Sequence, residues 1–257
     1  IEKRREKINM SNKVLFVGES WFVHETHVKG FDTFTHSYYG TGSDFLIKAL
    51  ESKDFVVDYM PNHVARNEFP YTLEELNAYR AIILSDIGAN TLLVPEATFT
   101  KGKILPNRVD LIAEYVKNGG GLLMVGGYMT FSGINAVGHW NNTAVQEVLP
   151  VEVLSIDDRM EHSEGVTGTI EKDHEVLEGV PTGEWPALLG YNKTILKKDA
   201  EQLVSIKGDP LVAVGEYGKG KSAVFTSDCA PHWAPTEFCE WEGYATLFGN
   251  IVKWLGN

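Results

Sequence analysis

The chain has 257 residues, 43% of them hydrophobic and 23% charged, a mix that suits a folded domain and excludes disorder as the default. Its formal net charge of -12 repels phosphate backbones and anionic lipid, so neither nucleic acid nor membrane is an expected partner. No apolar run has the length of a membrane span, and the two cysteines, Cys229 and Cys239, fit a reducing compartment, so a cytoplasmic protein is expected.

Ile1 to Asn9 is charged and poor in apolar residues; it reads as an extension, with residues 10–257 as one α/β domain. Lys13 to Gly18 is a short buried strand ended by glycine. Glu19 to Thr41 reads as a long loop in which Gly30, Gly40 and Gly42 would permit a lid to move. Ser43 to Lys53 follows as a helix, with Phe45, Leu46, Ala49 and Leu50 at helical spacing. Phe55 to Met60 is the second strand, Thr72 and Glu75 form a capping box, and Ala81 to Leu84 is the third strand. Asn107 to Asn118 is a helix stopped by Gly119-Gly120, and Leu122 to Val125 is the fourth strand.

These strands are continuous apolar runs separated by helices, the pattern of a parallel sheet covered on both faces. Right-handed crossovers make it doubly wound. After Pro150 the texture changes to short strands: Val151 to Leu154, Gly165 to Glu171 and Gln202 to Ile206. Pro210 to Tyr217 and Lys221 to Thr226 flank the turn Gly218-Lys219-Gly220. An antiparallel C-terminal extension of the sheet is expected. Thr236 to Leu255 reads as one aromatic helix, and its exposed apolar face would make a homo-oligomer.

In an open parallel sheet, ligands bind at the carboxyl ends of the strands. Here those ends carry Glu19 and Trp21, then Asp86 and Asn90, then Gly127 and Tyr128, then Asp228, Cys229, His232 and Trp233. Four polar, glycine-punctuated ends on one edge point to a site for a small polar molecule. His232, Asp228 and Tyr128 are the candidate chemical groups; Glu19, Trp21, Asp86, Asn90, Gly127 and Trp233 are candidate ligand contacts. His24 and His27, spaced for one face of a helical turn, join Glu19 as candidate metal ligands. No GxGxxG, Walker loop, HExxH or CxxC is present, so no cofactor is specified. Trp185 and Trp233 are candidate pocket walls, and Trp241, in the final helix, reads as core rather than wall. Cys229 reads as a small buried residue rather than a nucleophile.

Tyr115-Val116-Lys117-Asn118-Gly119-Gly120-Gly121-Leu122-Leu123-Met124-Val125-Gly126-Gly127-Tyr128 resembles the helix–strand–elbow unit of the class I glutamine amidotransferase-like superfamily. Gly218 to Asp228 is similar to the closing hairpin of ThuA-like proteins and of the β-galactosidase trimerisation domain. The resemblance implies a flavodoxin-like doubly wound α/β fold. It also implies a nucleophilic cysteine at the elbow and a His-x-Glu pair after the late strands. Here the elbow falls at Tyr128 or a neighbour, none of Gly126 to Gly133 is cysteine, and Pro231-His232-Trp233-Ala234-Pro235 lacks the glutamate. A phenol with an ordinary pKa of roughly 10 does not replace a thiolate, so glutamine hydrolysis by that triad is not expected. The same residues would alternatively serve a hydrolase or isomerase built on His232 and Asp228, or the domain would serve assembly.

Overall fold

The computed structural model describes residues 12–257, so the charged segment Ile1 to Asn9 and Met10 lie outside the described residues. In chain order the elements begin with β1 (Lys13–Gly18), β2 (Ser20–Lys29), β3 (Asp32–Thr41), α1 (Asp44–Glu51), β4 (Val56–Met60) and α2 (Asn62–Glu68). They continue with α3 (Leu73–Leu76), β5 (Ala81–Ser85), α4 (Ala89–Leu93), α5 (Glu96–Lys101), α6 (Arg108–Lys117) and β6 (Gly121–Val125). Next come α7 (Ala144–Val148), β7 (Val151–Val153), β8 (Arg159–Val166), β9 (Gly168–Ile170), β10 (Leu188–Asn192) and β11 (Thr194–Leu196). The chain ends with β12 (Glu201–Ile206), β13 (Asp209–Tyr217), β14 (Gly220–Phe225), α8 (Thr236–Cys239) and α9 (Tyr244–Leu255).

The main sheet has 8 strands in the order β4-β1-β5-β6-β14-β13-β12-β9. The strands from β4 to β14 are all parallel, and renumbering those five in chain order gives 2-1-3-4-5, the flavodoxin-like order. Its switch point lies between β1 and β5. Both faces are covered, as the unbroken apolar runs require. Val14 and Phe16 pack into one core with α1 and α9, while Leu15 and Val17 pack into the other with α2, α6 and α7. The antiparallel extension is β13, β12 and β9; Lys221 to Phe225 itself runs parallel to β6.

Four sequence expectations are corrected. Glu19 to Thr41 is not a loop: β2 and β3 pair in full register from Ser20↔Thr41 to Lys29↔Asp32. Their turn, Gly30-Phe31, has Gly30 at φ +64°, as the first position of a type II′ turn requires. Gly165 to Glu171 divides between β8 and β9, which belong to different sheets. The final helix breaks between Cys239 and Tyr244, where Gly243 lies so close to the Trp241 ring that a Cβ would come within 2.4 Å of it. The apolar face of α9 is buried in the core through Leu247, Phe248, Ile251 and Val252, so it offers no surface for a second copy. Among the described residues no helix is long and apolar enough to cross a membrane.

Gly18 ends β1 at φ +110°, and a Cβ there would stand 1.9 Å from the Ser85 carbonyl oxygen. Neither the conformation nor the space tolerates a side chain. Gly18→Ala is therefore expected to abolish accumulation of folded protein, read as loss of the soluble fraction; a soluble variant with an unchanged melting temperature would contradict this packing.

Candidate functional site

The strand ends gather as the topology requires, around the switch point between β1 and β5. After Gly18, Glu19 turns the chain at φ +49°, its N–H donating to the Ser85 carbonyl at 2.8 Å. This turn sends the Glu19 carboxyl inward, to 2% exposure. Glu19 Oε2 accepts from Ser85 Oγ at 2.6 Å and from the Cys229 thiol at 3.7 Å. Gly42 provides the room, since a Cβ there would stand 2.7 Å from Glu19 Oε1.

Asp86 follows β5 at φ +43° and accepts from the Met129 N–H at 2.9 Å. That bond fixes the elbow after β6. Gly127 passes so close that a Cβ would lie 2.9 Å from Asp86 Oδ1. On its other side the elbow is held by Asn192, which accepts from the Gly127 N–H at 2.9 Å and donates to its carbonyl at 3.2 Å. Asn192 also donates to Asp158 at 2.8 Å, and Asp158 accepts from the N–H groups of Ser132 and Gly133.

After β14, Asp228 is buried and lies 3.4 Å from Nδ1 of His232, whose side chain is 46% exposed. The Tyr128 ring packs against His232 at 4.3 Å and against Trp233 at 5.5 Å. Glu161 then ties the rim together. It accepts from the Tyr128 hydroxyl at 2.8 Å and from Trp233 Nε1 at 3.0 Å. Arg159 lies over the Tyr128 ring at 4.8 Å and is held in a two-pronged pair by Asp157.

Burial raises the three strand-end carboxyls, Glu19, Asp86 and Asp228. Glu19 is pushed well above the ordinary range by burial, with Asp228 and Asp86 adding repulsion. Asp86 is raised to about 6 by burial and by Asp228. Asp228 is raised by burial against the opposing pull of His232. His232 is raised by its hydrogen bond to Asp228. The Cys229 thiol is pushed well above its ordinary value, first by burial and then by Glu19 and Asp228. Such a thiol carries no thiolate at neutral pH. Glu19, Asp228 and Cys229 lie close enough to share one cation, but Glu19 Oε2 already takes two donors.

Glu19, Asp86, Gly127, Tyr128, Asp228, His232 and Trp233 thus meet around one strand-end cluster. Trp21 does not join them; it packs over Gly40 and lines a separate cavity of about 240 Å³ with Asn62, His63 and Thr91. Asn90 is exposed on α4. Glu19, His24 and His27 do not form a metal set. Glu19 is buried at the hairpin's base, and residues three apart on β2 face opposite sides. Trp185 packs in the core rather than in a pocket, and Trp241 packs against that core, as expected. Sequence reasoning missed Glu161 and Arg159, which reach the rim from β8, and Asn192 from β10. These strands form a separate two-stranded sheet, and no strand-end signal marks them.

A family described as "Putative glutamine amidotransferase" matches residues 13–257. The chain belongs to this amidotransferase-like family. Among solved structures, the cytoplasmic protein STM3548 of Salmonella typhimurium is 45% identical, with a TM-score of 0.92 over 95% of this chain and 98% of that one. The cytoplasmic protein STM1381 of Salmonella typhimurium LT2 is 47% identical, with a TM-score of 0.92 over 95% of this chain and 100% of that one. A ThuA-like protein from Parabacteroides merdae shares the fold at 13% identity, with a TM-score of 0.60 over 95% of this chain and 90% of that one. No curated protein matches.

Proposed function

We propose that this chain uses the strand-end site of the amidotransferase-like fold without its thiol chemistry, and binds a small polar ligand between Asp86, Asp228, His232 and Tyr128. The observation that carries this reading is the chemistry at the elbow. None of Gly126 to Gly133, the turn after β6, is a cysteine, and the Tyr128 hydroxyl there is committed to Glu161. Cys229 is fully buried with a raised pKa. The walls are richer in acceptors than in donors, which favours a ligand bearing hydroxyl or amino groups. The tyrosine ring then acts as a wall beside His232. A cytoplasmic setting belongs to the same reading, because both Salmonella relatives bear that description.

The test is a thermal-shift screen of polyols, sugar acids, amines, amino acids including glutamine, and nucleotides, run on wild type and His232→Ala. A ligand at 100 times its dissociation constant adds about 2.7 kcal/mol of stability. The expected result is a hydroxylated or amino ligand that raises the melting temperature of wild type and not of the variant. A screen without any shift, or a shift untouched by His232→Ala, overturns the proposal.

One contact favours a second reading, a hydrolase or isomerase with His232 as general base. Buried Asp228 faces Nδ1 of a half-exposed imidazole, the relation in which a carboxylate orients a base. Turnover of a screening hit that vanishes in Asp228→Asn while binding persists would select this reading over simple binding.

A further inference from the structure

The β2–β3 hairpin carries a cluster the strand-end site does not use. Glu25 and His36 are direct cross-strand partners, and His27 lies two residues beyond Glu25 on the same face. Glu25 Oε2 is 3.4 Å from His36 Nε2 and 3.6 Å from His27 Nε2. Both separations exceed the usual 2.7–3.2 Å of a direct N–H···O bond. They match the separation of about 3.4 Å between two nitrogen or oxygen ligands that share a tetrahedral Zn²⁺. His27 Nε2 is screened from solvent and makes no hydrogen bond.

The surroundings orient these groups. Phe34 stacks on the His27 ring at 4.6 Å and 3°, His27 on His36 at 5.2 Å, and His36 on Tyr38 at 6.2 Å. The Tyr38 hydroxyl donates to Glu25 Oε1 at 3.4 Å, leaving Oε2 for the two imidazoles. A metal ligand held by such an outer partner is the usual arrangement in built sites. His24 stands apart from the set, bonded to Ser37 at 2.6 Å.

We propose that Glu25, His27 and His36 bind a divalent transition metal of the Zn²⁺ class. Two imidazoles and one carboxylate leave the fourth position to water or to a ligand from solution. The metal would join β2, which supplies Glu25 and His27, to β3, which supplies His36. A lone two-stranded hairpin is marginal in water, and this one ends in exposed Val28 and Phe31. A cross-strand clip would hold the arm in register.

The experiment is titration of tag-free, metal-stripped protein with ZnCl₂ by calorimetry, and with CoCl₂ by visible absorption. The site predicts one ion per chain and the intense d–d bands of tetrahedral Co²⁺. His24→Ala retains both, whereas His27→Ala/His36→Ala loses the bands and weakens Zn²⁺ binding at least 100-fold. Far-ultraviolet circular dichroism and the melting temperature of the stripped proteins verify that the double variant is folded. Binding that survives the double variant, or no saturable binding by wild type, overturns the proposal. Neither result bears on the strand-end ligand, whose test depends on His232.

Discussion

Replacing Arg108 by methionine is expected to lower the unfolding free energy by on the order of 4 kcal/mol, because several helix-end carbonyls lose a charged donor at once. Arg108 begins α6 and is completely buried. Its guanidinium donates to the carbonyls of Leu92 at 2.8 Å, Ala65 at 3.0 Å, Arg66 at 2.8 Å and Thr91 at 3.1 Å. Ala65 and Arg66 lie near the carboxyl end of α2, and Thr91 and Leu92 near that of α4. One cation therefore meets the negative ends of two short helices and occupies carbonyls that helices leave unpaired. Both helices frame the site. Asn62, in the first turn of α2, donates to the Ser20 and Asp86 carbonyls, and α4 follows directly from the Asp86 turn. Urea unfolding should show the lower midpoint with an unchanged slope. Arg108→Lys, which keeps the charge but not the planar fork, should recover part of the loss. A change below about 1 kcal/mol for the methionine variant would mean that these contacts add little beyond solvation.

The same division between repeating pattern and singular contact decides what the sequence reveals. β1, β5 and β6 are legible because strands buried on both faces must be apolar at every position. The hairpin is not, because both faces of its strands meet solvent and no in/out alternation marks them; Gly30 before Phe31 was the one turn signal. Reading His24 and His27 at helical spacing followed from that missing element. The extended strand separates them and brings His27 to His36, which is a cross-strand neighbourhood that linear spacing does not encode. At the strand ends, Glu19, Asp86, Tyr128, Asp228 and His232 are legible because topology alone makes them neighbours. Glu161, Arg159 and Asn192 are not, because a peripheral strand pair carries them to the rim across long sequence separations.

Glu19→Gln is expected to stabilise the protein at neutral pH and to leave it nearly unchanged near pH 4. Wild type must place a carboxyl at 2% exposure beside Asp86 and Asp228, which holds its folded pKa well above the ordinary 4.5. The folded chain then keeps a proton that the unfolded chain releases. Such a group is neutral in both states below about pH 4.5, and there its folded-state protonation costs nothing. As pH rises past that value the unfolded state is favoured by up to about 1.4 kcal/mol per unit, until the folded carboxyl also ionises. Glutamine has the shape of the protonated acid and can still accept from Ser85, but it has no proton to lose. Melts at pH 4, 5.5 and 7 should therefore show a gap opening between variant and wild type, widest at pH 7. A loss that grows from pH 4 to pH 7 would identify Glu19 as an ionised anchor of the Ser85 and Cys229 donors, contrary to its burial. The strand-end site carries a pH dependence of its own. Asp86, raised to about 6 by burial and by Asp228, ionises below neutral pH beside the Asp228–His232 pair. Asp86→Asn should then shift the pH dependence of ligand binding, measured across pH 6.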